Sequence, residues 1–133
     1  MASVSRIIGA LTIAAGAAVT ATASAHHSFA VFFDEARPIS IEGKVTAFRF
    51  TNPHGTVTLD VAGADGTVTS WRVETNAPVV LQRRGWTRAS MRPGESVRID
   101  GWQSRDGRPY MRLRRAFSAD GKQIGQAFGT GDN

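Results

Sequence analysis

The chain has 133 residues and a formal net charge of +5, with 16 Lys and Arg against 11 Asp and Glu. A chain of this length can form one domain with its own hydrophobic core, but not two of ordinary size. Because the sequence contains no cysteine, both disulfide bonds and thiolate metal sites are excluded. The stability of the domain therefore depends on its hydrophobic core.

The first 25 residues have the composition of a secretory signal peptide. Arg6 precedes an apolar run from Ile7 to Val19, and Ala23 and Ala25 provide the small residues that a signal peptidase recognises. The run is shorter than the roughly 20 apolar residues of a membrane-spanning helix, which disfavours a retained anchor. We therefore expect cleavage after Ala25, a periplasmic location, and a mature chain that begins at His26 and has no transmembrane span.

The first strand pattern follows a short amino-terminal arm, residues 26–38. Ile39, Ile41 and Val45 alternate with polar residues, which predicts a half-buried strand. Gly43 interrupts the pattern and is typical of a bulge or a sharp bend.

Two more strands and a short helix are predicted in the middle of the chain. Residues 56–61 and 67–73 alternate on either side of a Gly-Ala-Asp-Gly turn, which predicts a β-hairpin. Asn76 and Pro78 are typical of a helix start, with Asn76 as the N-cap, and Gly85 is suited to end the helix.

The last strands surround a second turn. Residues 96–102 and 110–117 alternate on either side of an Arg-Asp-Gly turn, and residues 125–133 are Gly-rich and polar, which favours a flexible tail. Three strands, a helix, and two or three further strands match an all-β fold, an OB-like Greek-key barrel of five to six strands over residues 39–124. A generic β-sandwich is the alternative.

Four separated segments resemble a known family. They are Ala25-His26-His27-Ser28-Phe29, Thr51-Asn52-Pro53-His54, Arg84-Gly85-Trp86 and Arg92-Pro93-Gly94-Glu95. Together they resemble a family of small, uncharacterised, exported proteins of proteobacteria. The resemblance implies a periplasmic location and an OB-like barrel. It implies no activity and no binding residues.

The candidate metal ligands are His26, His27 and His54. If His26 is the first residue of the mature chain, its α-amine and its imidazole Nδ1 can chelate one metal ion. A second imidazole, from His54 or His27, would complete a three-nitrogen site. Such donors suit Cu(II) best, with Zn(II) behind, and the metal must displace a proton from an amine whose ordinary pKa is about 8. The alternative is a solubilising terminus and a histidine that hydrogen-bonds its own loop.

The expected register argues against a direct meeting of His26 and His54. If the arm folds back at Pro38 and pairs with the first strand, His26 lies beside Arg49. It is then roughly 16 Å from His54, at about 3.3 Å per residue. A bend at Gly43 would recover part of that gap.

An arginine-rich surface is the second candidate site. Arg83, Arg84 and Arg88 cluster around the predicted helix, and Arg112 and Arg114 share one face of the last full strand. On an OB barrel, such cations beside aromatic residues can bind single-stranded nucleic acid. For an exported protein, an acidic envelope protein or an anionic surface is the better match. A solvated polar face explains the same residues.

Motifs of catalysis are missing from the sequence. It has no G-x-S-x-G motif, P-loop or dinucleotide fingerprint, and the adjacent Asp34 and Glu35 would point to opposite faces of a strand. We therefore expect a non-enzymatic periplasmic protein that captures Cu(II) or Zn(II) through its amino-terminal histidine. The alternatives are an envelope protein-interaction module that uses the arginine surface, and a copper oxidase or monooxygenase with a histidine brace.

Overall fold

The computed structural model describes residues 29–132 of the chain. The elements in this part are α1 (Phe29–Phe32), β1 (Phe33–Arg49), β2 (Thr56–Ala62), β3 (Val68–Glu74), α2 (Pro78–Arg83), β4 (Ser96–Ser104) and β5 (Tyr110–Ser118). The predicted signal peptide, His26 and His27 lie outside the described residues. None of the helices in this part has both the length and the apolar content that crossing a bilayer requires.

The five strands close into a barrel in the order β1-β2-β3-β5-β4. The β3–β5 pair is parallel, and the other four pairs are antiparallel. With α2 between β3 and β4, this is the topology of a five-stranded Greek-key barrel of the OB type. The predicted fold class is confirmed.

Alternation along the strands fills the barrel with apolar side chains. Val57 and Leu59 on β2, Val73 on β3, and Met111 and Leu113 on β5 are fully buried. Their neighbours in sequence lie on the opposite face of the same strands, as the two-residue period requires. The functional side chains described below come from that outer face and from the loops.

The path of β1 differs from the prediction. The strand is continuous from Phe33 to Arg49, so the arm does not fold back at Pro38. Pro38 instead pairs with Trp102 of β4, and the register is irregular between Phe33 and Pro38. Such an irregular stretch tolerates proline, which cannot donate a ladder hydrogen bond.

The bulge in β1 also lies elsewhere than predicted. The register with β2 shifts between Val45 and Ala47, rather than at Gly43. A Cβ at Gly43 would be 2.4 Å from the carbonyl oxygen of Asp60. Close approach of two strands, rather than a bulge, therefore requires glycine here.

Asn76 does not cap α2, although its position in the sequence favours that role. The N-cap is Ala77, which makes no side-chain capping bond, and Pro78 is the first helical residue. Asn76 is buried, and its side-chain amide donates to the backbone carbonyl of Asp132. The expected end of the helix is observed, because Gly85 adopts a φ of +81°.

Residues 125–132 pack against the barrel, which differs from the predicted flexible tail. Phe128 is only 3% exposed, and its ring centroid lies 6.1 Å from that of Trp86. Backbone hydrogen bonds join Gln126 to Arg84 and Phe128 to Arg114. One large apolar side chain and these hydrogen bonds therefore anchor a polar, Gly-rich segment to the barrel.

Candidate functional site

A carboxylate, an imidazole, a phenol and a guanidinium meet where β3 ends. Glu74 Oε1 lies 3.0 Å from His54 Nδ1 and 2.9 Å from Arg112 Nη1, and Glu74 Oε2 accepts a hydrogen bond from the Tyr110 hydroxyl. The side chains of His54, Glu74 and Arg112 are 18%, 14% and 6% exposed. We call these four residues the Glu74 cluster.

Strand register brings the cluster together. Glu74 pairs with Thr56 of β2 on one side and with Arg112 of β5 on the other. His54 lies just before β2, in the loop from β1. The loop passes so close to the barrel that a Cβ at Gly55 would be 2.6 Å from Thr75 Oγ1. Glycine at this position therefore allows the imidazole to reach Glu74.

Arg112 is the buried cation of the cluster. Its Nη1 also donates to the carbonyl of Thr75 at 2.9 Å, and its Nη2 donates to the carbonyl of Asp132 at 3.2 Å. Burial lowers the pKa of Arg112, and the charge and hydrogen bond of Glu74 oppose that shift. An arginine side chain stays protonated in proteins, so the buried carboxylate has a permanent counter-charge.

Tyr110 completes the set of donors to Glu74. Burial, and then the hydrogen bond to and charge of Glu74, raise the pKa of Tyr110 well above its ordinary value. The phenol therefore stays protonated at neutral pH and donates to the carboxylate. Glu74 thus accepts hydrogen bonds from Tyr110 and Arg112 and lies within ion-pair distance of His54.

The contact to Glu74 places Nδ1 of His54 where a proton on this nitrogen faces the carboxylate. When Nδ1 carries the proton and donates it to a carboxylate, the lone pair of a neutral imidazole is on Nε2. This carboxylate–histidine arrangement is the one that orients histidine ligands of metals. The geometry thus suits His54 to ligate a metal through Nε2.

Aromatic contacts bring the amino-terminal arm to the same cluster. The ring centroid of Phe29 lies 5.2 Å from that of Trp102 and 5.7 Å from that of Phe33, and Phe33 lies 5.1 Å from Tyr110. Phe29, the first described residue, is therefore connected to Glu74 through two rings, those of Phe33 and Tyr110.

Of the three predicted metal ligands, only His54 belongs to the described residues. Within residues 29–132, no group of three or more His, Cys, Asp and Glu side chains is arranged to hold a metal ion. The predicted three-nitrogen site thus needs donors from His26 or His27. Copper or zinc binding stays a prediction.

Two of the five predicted partner-binding arginines are used inside the protein. Arg84 Nη2 lies 3.0 and 2.9 Å from the two carboxylate oxygens of Asp132, whose carbonyl accepts from Arg112. Arg84 Nη1 also donates to the carbonyl of Ala127 at 2.6 Å. These contacts hold the carboxyl-terminal segment on the barrel.

The other three predicted arginines are on the surface. Arg83 is exposed at the end of α2, and Arg114 is exposed on β5 with its guanidinium carbon 5.8 Å from the ring centroid of Trp102. Arg88 donates to the carbonyl of Phe50 at 3.2 Å. Arg84 and Arg112 therefore have partners within the protein, and binding of a partner by the predicted arginines stays a prediction.

Sequence reasoning missed Glu74, Tyr110 and Asp132. A signal for Glu74 was present, since Glu74 and Arg112 have opposite charges and each lies next to a buried strand residue, Val73 and Leu113. Pairing them requires knowing that β3 and β5 are neighbours, and the two residues are 38 positions apart.

A known protein family matches most of the chain. A family of unknown function, DUF6152, matches residues 15–111. The chain belongs to the DUF6152 family. The matched segment includes His26, His27, His54, Glu74 and Tyr110, and it ends one residue before Arg112.

Comparisons with individual proteins add little to the family. No curated protein matches the chain. Among solved structures, the chain is similar to the crystal structure of a complex of TiaS with a transfer RNA and ATP, with a TM-score of 0.46 and 17% identity. The match covers 64% of this DUF6152 chain but only 18% of that protein. A similarity of this level carries no argument about function.

Proposed function

We propose that the protein is exported, is cleaved after Ala25, and binds one Cu(II) or Zn(II) ion between His26 and His54. The α-amine and Nδ1 of His26 would provide two nitrogen ligands, and Nε2 of His54 the third. Nitrogen donors of this kind favour Cu(II) over Zn(II). His27 is the alternative source of the second imidazole.

The observation that carries the proposal is the 3.0 Å contact between His54 Nδ1 and Glu74 Oε1. Histidine ligands of metals almost always donate their second N–H to a carboxylate, a backbone carbonyl or water, which fixes the ring and raises its basicity. Here the carboxylate is itself held by Arg112 and Tyr110. The imidazole is therefore oriented before a metal arrives, so that metal binding orders fewer groups.

The path of the arm supports the participation of His26. The expected fold-back at Pro38, which would have separated the two histidines by roughly 16 Å, does not occur because β1 is continuous. Phe29 packs against Phe33, and Phe33 packs against Tyr110 of the cluster. His26 is three residues before Phe29, a length of chain that spans up to about 10 Å.

The binding chemistry predicts a dependence on pH. The α-amine of His26 must lose a proton to bind the metal, and the ordinary pKa of this group is about 8. The apparent affinity should therefore rise as the pH is raised from 6 towards 8. Once the protein is purified, amino-terminal sequencing should find His26 as its first residue.

A Cu(II) titration of the processed protein tests the proposal. We expect one equivalent to bind, and we expect Glu74→Gln to weaken binding about 10–100-fold because the ligand loses its orienting carboxylate. One extra residue before His26 moves the amine away from the imidazole and should also weaken binding strongly. Arg83→Gln, an exposed change on α2, is the matched control. Equal affinities for the extended and the processed protein would exclude the amine chelate.

A further inference from the structure

A cleft next to the Glu74 cluster has the features of a second binding site. Its volume is about 330 Å³, and it is lined by Phe32, Arg72, Arg108, Pro109 and Tyr110. Sites for small molecules usually measure about 300–1,000 Å³. This cleft is therefore suited to a small organic molecule rather than to a polymer.

The walls of the cleft are mainly apolar. Phe32 is 41% exposed although it is a large hydrophobic residue, and the ring of Pro109 and the half-buried phenol of Tyr110 continue the surface. The Tyr110 hydroxyl is used by Glu74, so the phenol offers the cleft its ring rather than its polar group. The apolar part of a bound ligand would cover these surfaces and remove them from water, which favours binding.

The cleft also has one cation without a counter-charge. The guanidinium carbon of Arg72 lies 5.5 Å from the ring centroid of Tyr110, and within residues 29–132 no carboxylate forms an ion pair with it. Arg108, in contrast, pairs with Asp106 at 2.6 Å. Glu74 already accepts hydrogen bonds from Tyr110 and Arg112. The charge balance of the cleft therefore favours one negative charge on a ligand.

We infer that the cleft binds a small organic monoanion, with its carboxylate on Arg72 and its apolar body against Phe32, Pro109 and Tyr110. Guanidinium groups bind carboxylates in a two-pronged geometry, and Tyr110 already holds the Arg72 side chain over its ring. The inference does not depend on the proposed metal site, because none of the residues that carry it is a proposed metal ligand.

Titration of the purified protein with benzoate, followed by calorimetry and by amide NMR shifts, tests this inference. We expect saturable binding, with shifts at Phe32, Arg72 and Tyr110. Arg72→Gln should weaken benzoate binding at least tenfold. Phe32→Ser should also weaken it, because the substitution removes part of the apolar wall of the cleft. Arg83→Gln, which changes an exposed arginine outside the cleft, should leave it unchanged.

Two further probes separate the contributions to binding. Benzyl alcohol has the same ring without the charge, and inorganic phosphate has a charge without an apolar body. Both should bind much more weakly than benzoate. The inference would be overturned if either probe bound as tightly as benzoate, or if Arg72→Gln and Arg83→Gln weakened benzoate binding equally. It would also be overturned if no saturable benzoate binding were seen in the millimolar range. Arg72→Gln should bind Cu(II) with the same affinity as the unchanged protein. A failure of the benzoate prediction can therefore be distinguished from a failure of the proposed metal site.

Discussion

Replacement of Arg112 by methionine should destabilise the protein strongly. Methionine has nearly the length of arginine but no charge and no donor. The substitution removes the hydrogen bonds to Glu74 and to the carbonyls of Thr75 and Asp132. It also leaves the carboxylate of Glu74, 14% exposed, without its permanent cation.

The expected loss of stability follows from the burial of the ion pair between Arg112 and Glu74. Removal of one partner from a buried ion pair typically costs about 3–5 kcal/mol, because the remaining charge is left uncompensated. The free energy of unfolding of a domain is only about 5–15 kcal/mol, so this is a large part of the total. Arg114→Met, two residues along β5, is the matched control. The Arg114 side chain is exposed and lies over the face of Trp102, so its removal should cost at most about 1 kcal/mol.

Urea unfolding followed by tryptophan fluorescence measures both variants, since Trp86 and Trp102 are buried and report on the barrel. If Arg112→Met and Arg114→Met differ in free energy of unfolding by less than about 1 kcal/mol, the role given to Arg112 is wrong. In addition, Glu74→Gln combined with Arg112→Met should cost less than the sum of the single changes, because the neutral amide no longer needs a cation.

Three further predictions concern the tail, a glycine and the only tyrosine of the sequence. Phe128→Ala should cost about 3–5 kcal/mol in urea unfolding, whereas a flexible tail would make it neutral. Gly125→Ala should be much more destabilising than Gly121→Ala. Both glycines have a positive φ, but a Cβ at Gly125 would be 2.3 Å from Trp86 Nε1, whereas a Cβ at Gly121 would meet open space. Equal losses in the free energy of unfolding would contradict this prediction. In ultraviolet titration, the pKa of Tyr110 should be above its ordinary value, about 10, in the native protein and return to it in urea. The stability linked to this shift is fully present below about pH 10 and is lost as the pH rises towards the native pKa; Tyr110→Phe should remove that loss, and a native pKa near 10 would contradict the shift.

The barrel could be predicted because its signals are local. Alternating apolar residues in β2 and β5 identify strands, and the turn before Gly66 identifies a hairpin. The route of β1 could not be predicted, because alternation identifies a strand without identifying its partner. Pro38 therefore suggested a turn, whereas it lies within a strand that pairs with β4.

The errors at Asn76 and in the tail meet at one contact, between Asn76 and Asp132. The helix begins one residue later than predicted, so Asn76 precedes the N-cap, Ala77, and its side-chain amide donates to the carbonyl of Asp132. The segment that carries Asp132 is held in place by the burial of Phe128 and by Arg84, which binds the Asp132 carboxylate. Because residues 125–133 are polar and Gly-rich, their composition predicts a flexible tail. Composition does not show that one aromatic side chain, that of Phe128, packs against the barrel.

The candidate site was predictable in part. His54 is visible in the sequence as a possible nitrogen ligand, since the chain has three histidines. Its orientation by Glu74 depends on β2, β3 and β5 being neighbours, which is a property of the fold. The same long-range pairing places Arg112 beside Glu74, where it is buried rather than on the predicted surface.

Electron paramagnetic resonance of the Cu(II)-loaded, processed protein tests the central claim most directly. The signal should show three nitrogen ligands in the native protein and should change in His54→Ala, with a smaller change in Glu74→Gln. The spectrum of Arg83→Gln should match that of the native protein. Identical spectra for the native protein and His54→Ala would show that His54 does not bind the metal, and would contradict the account.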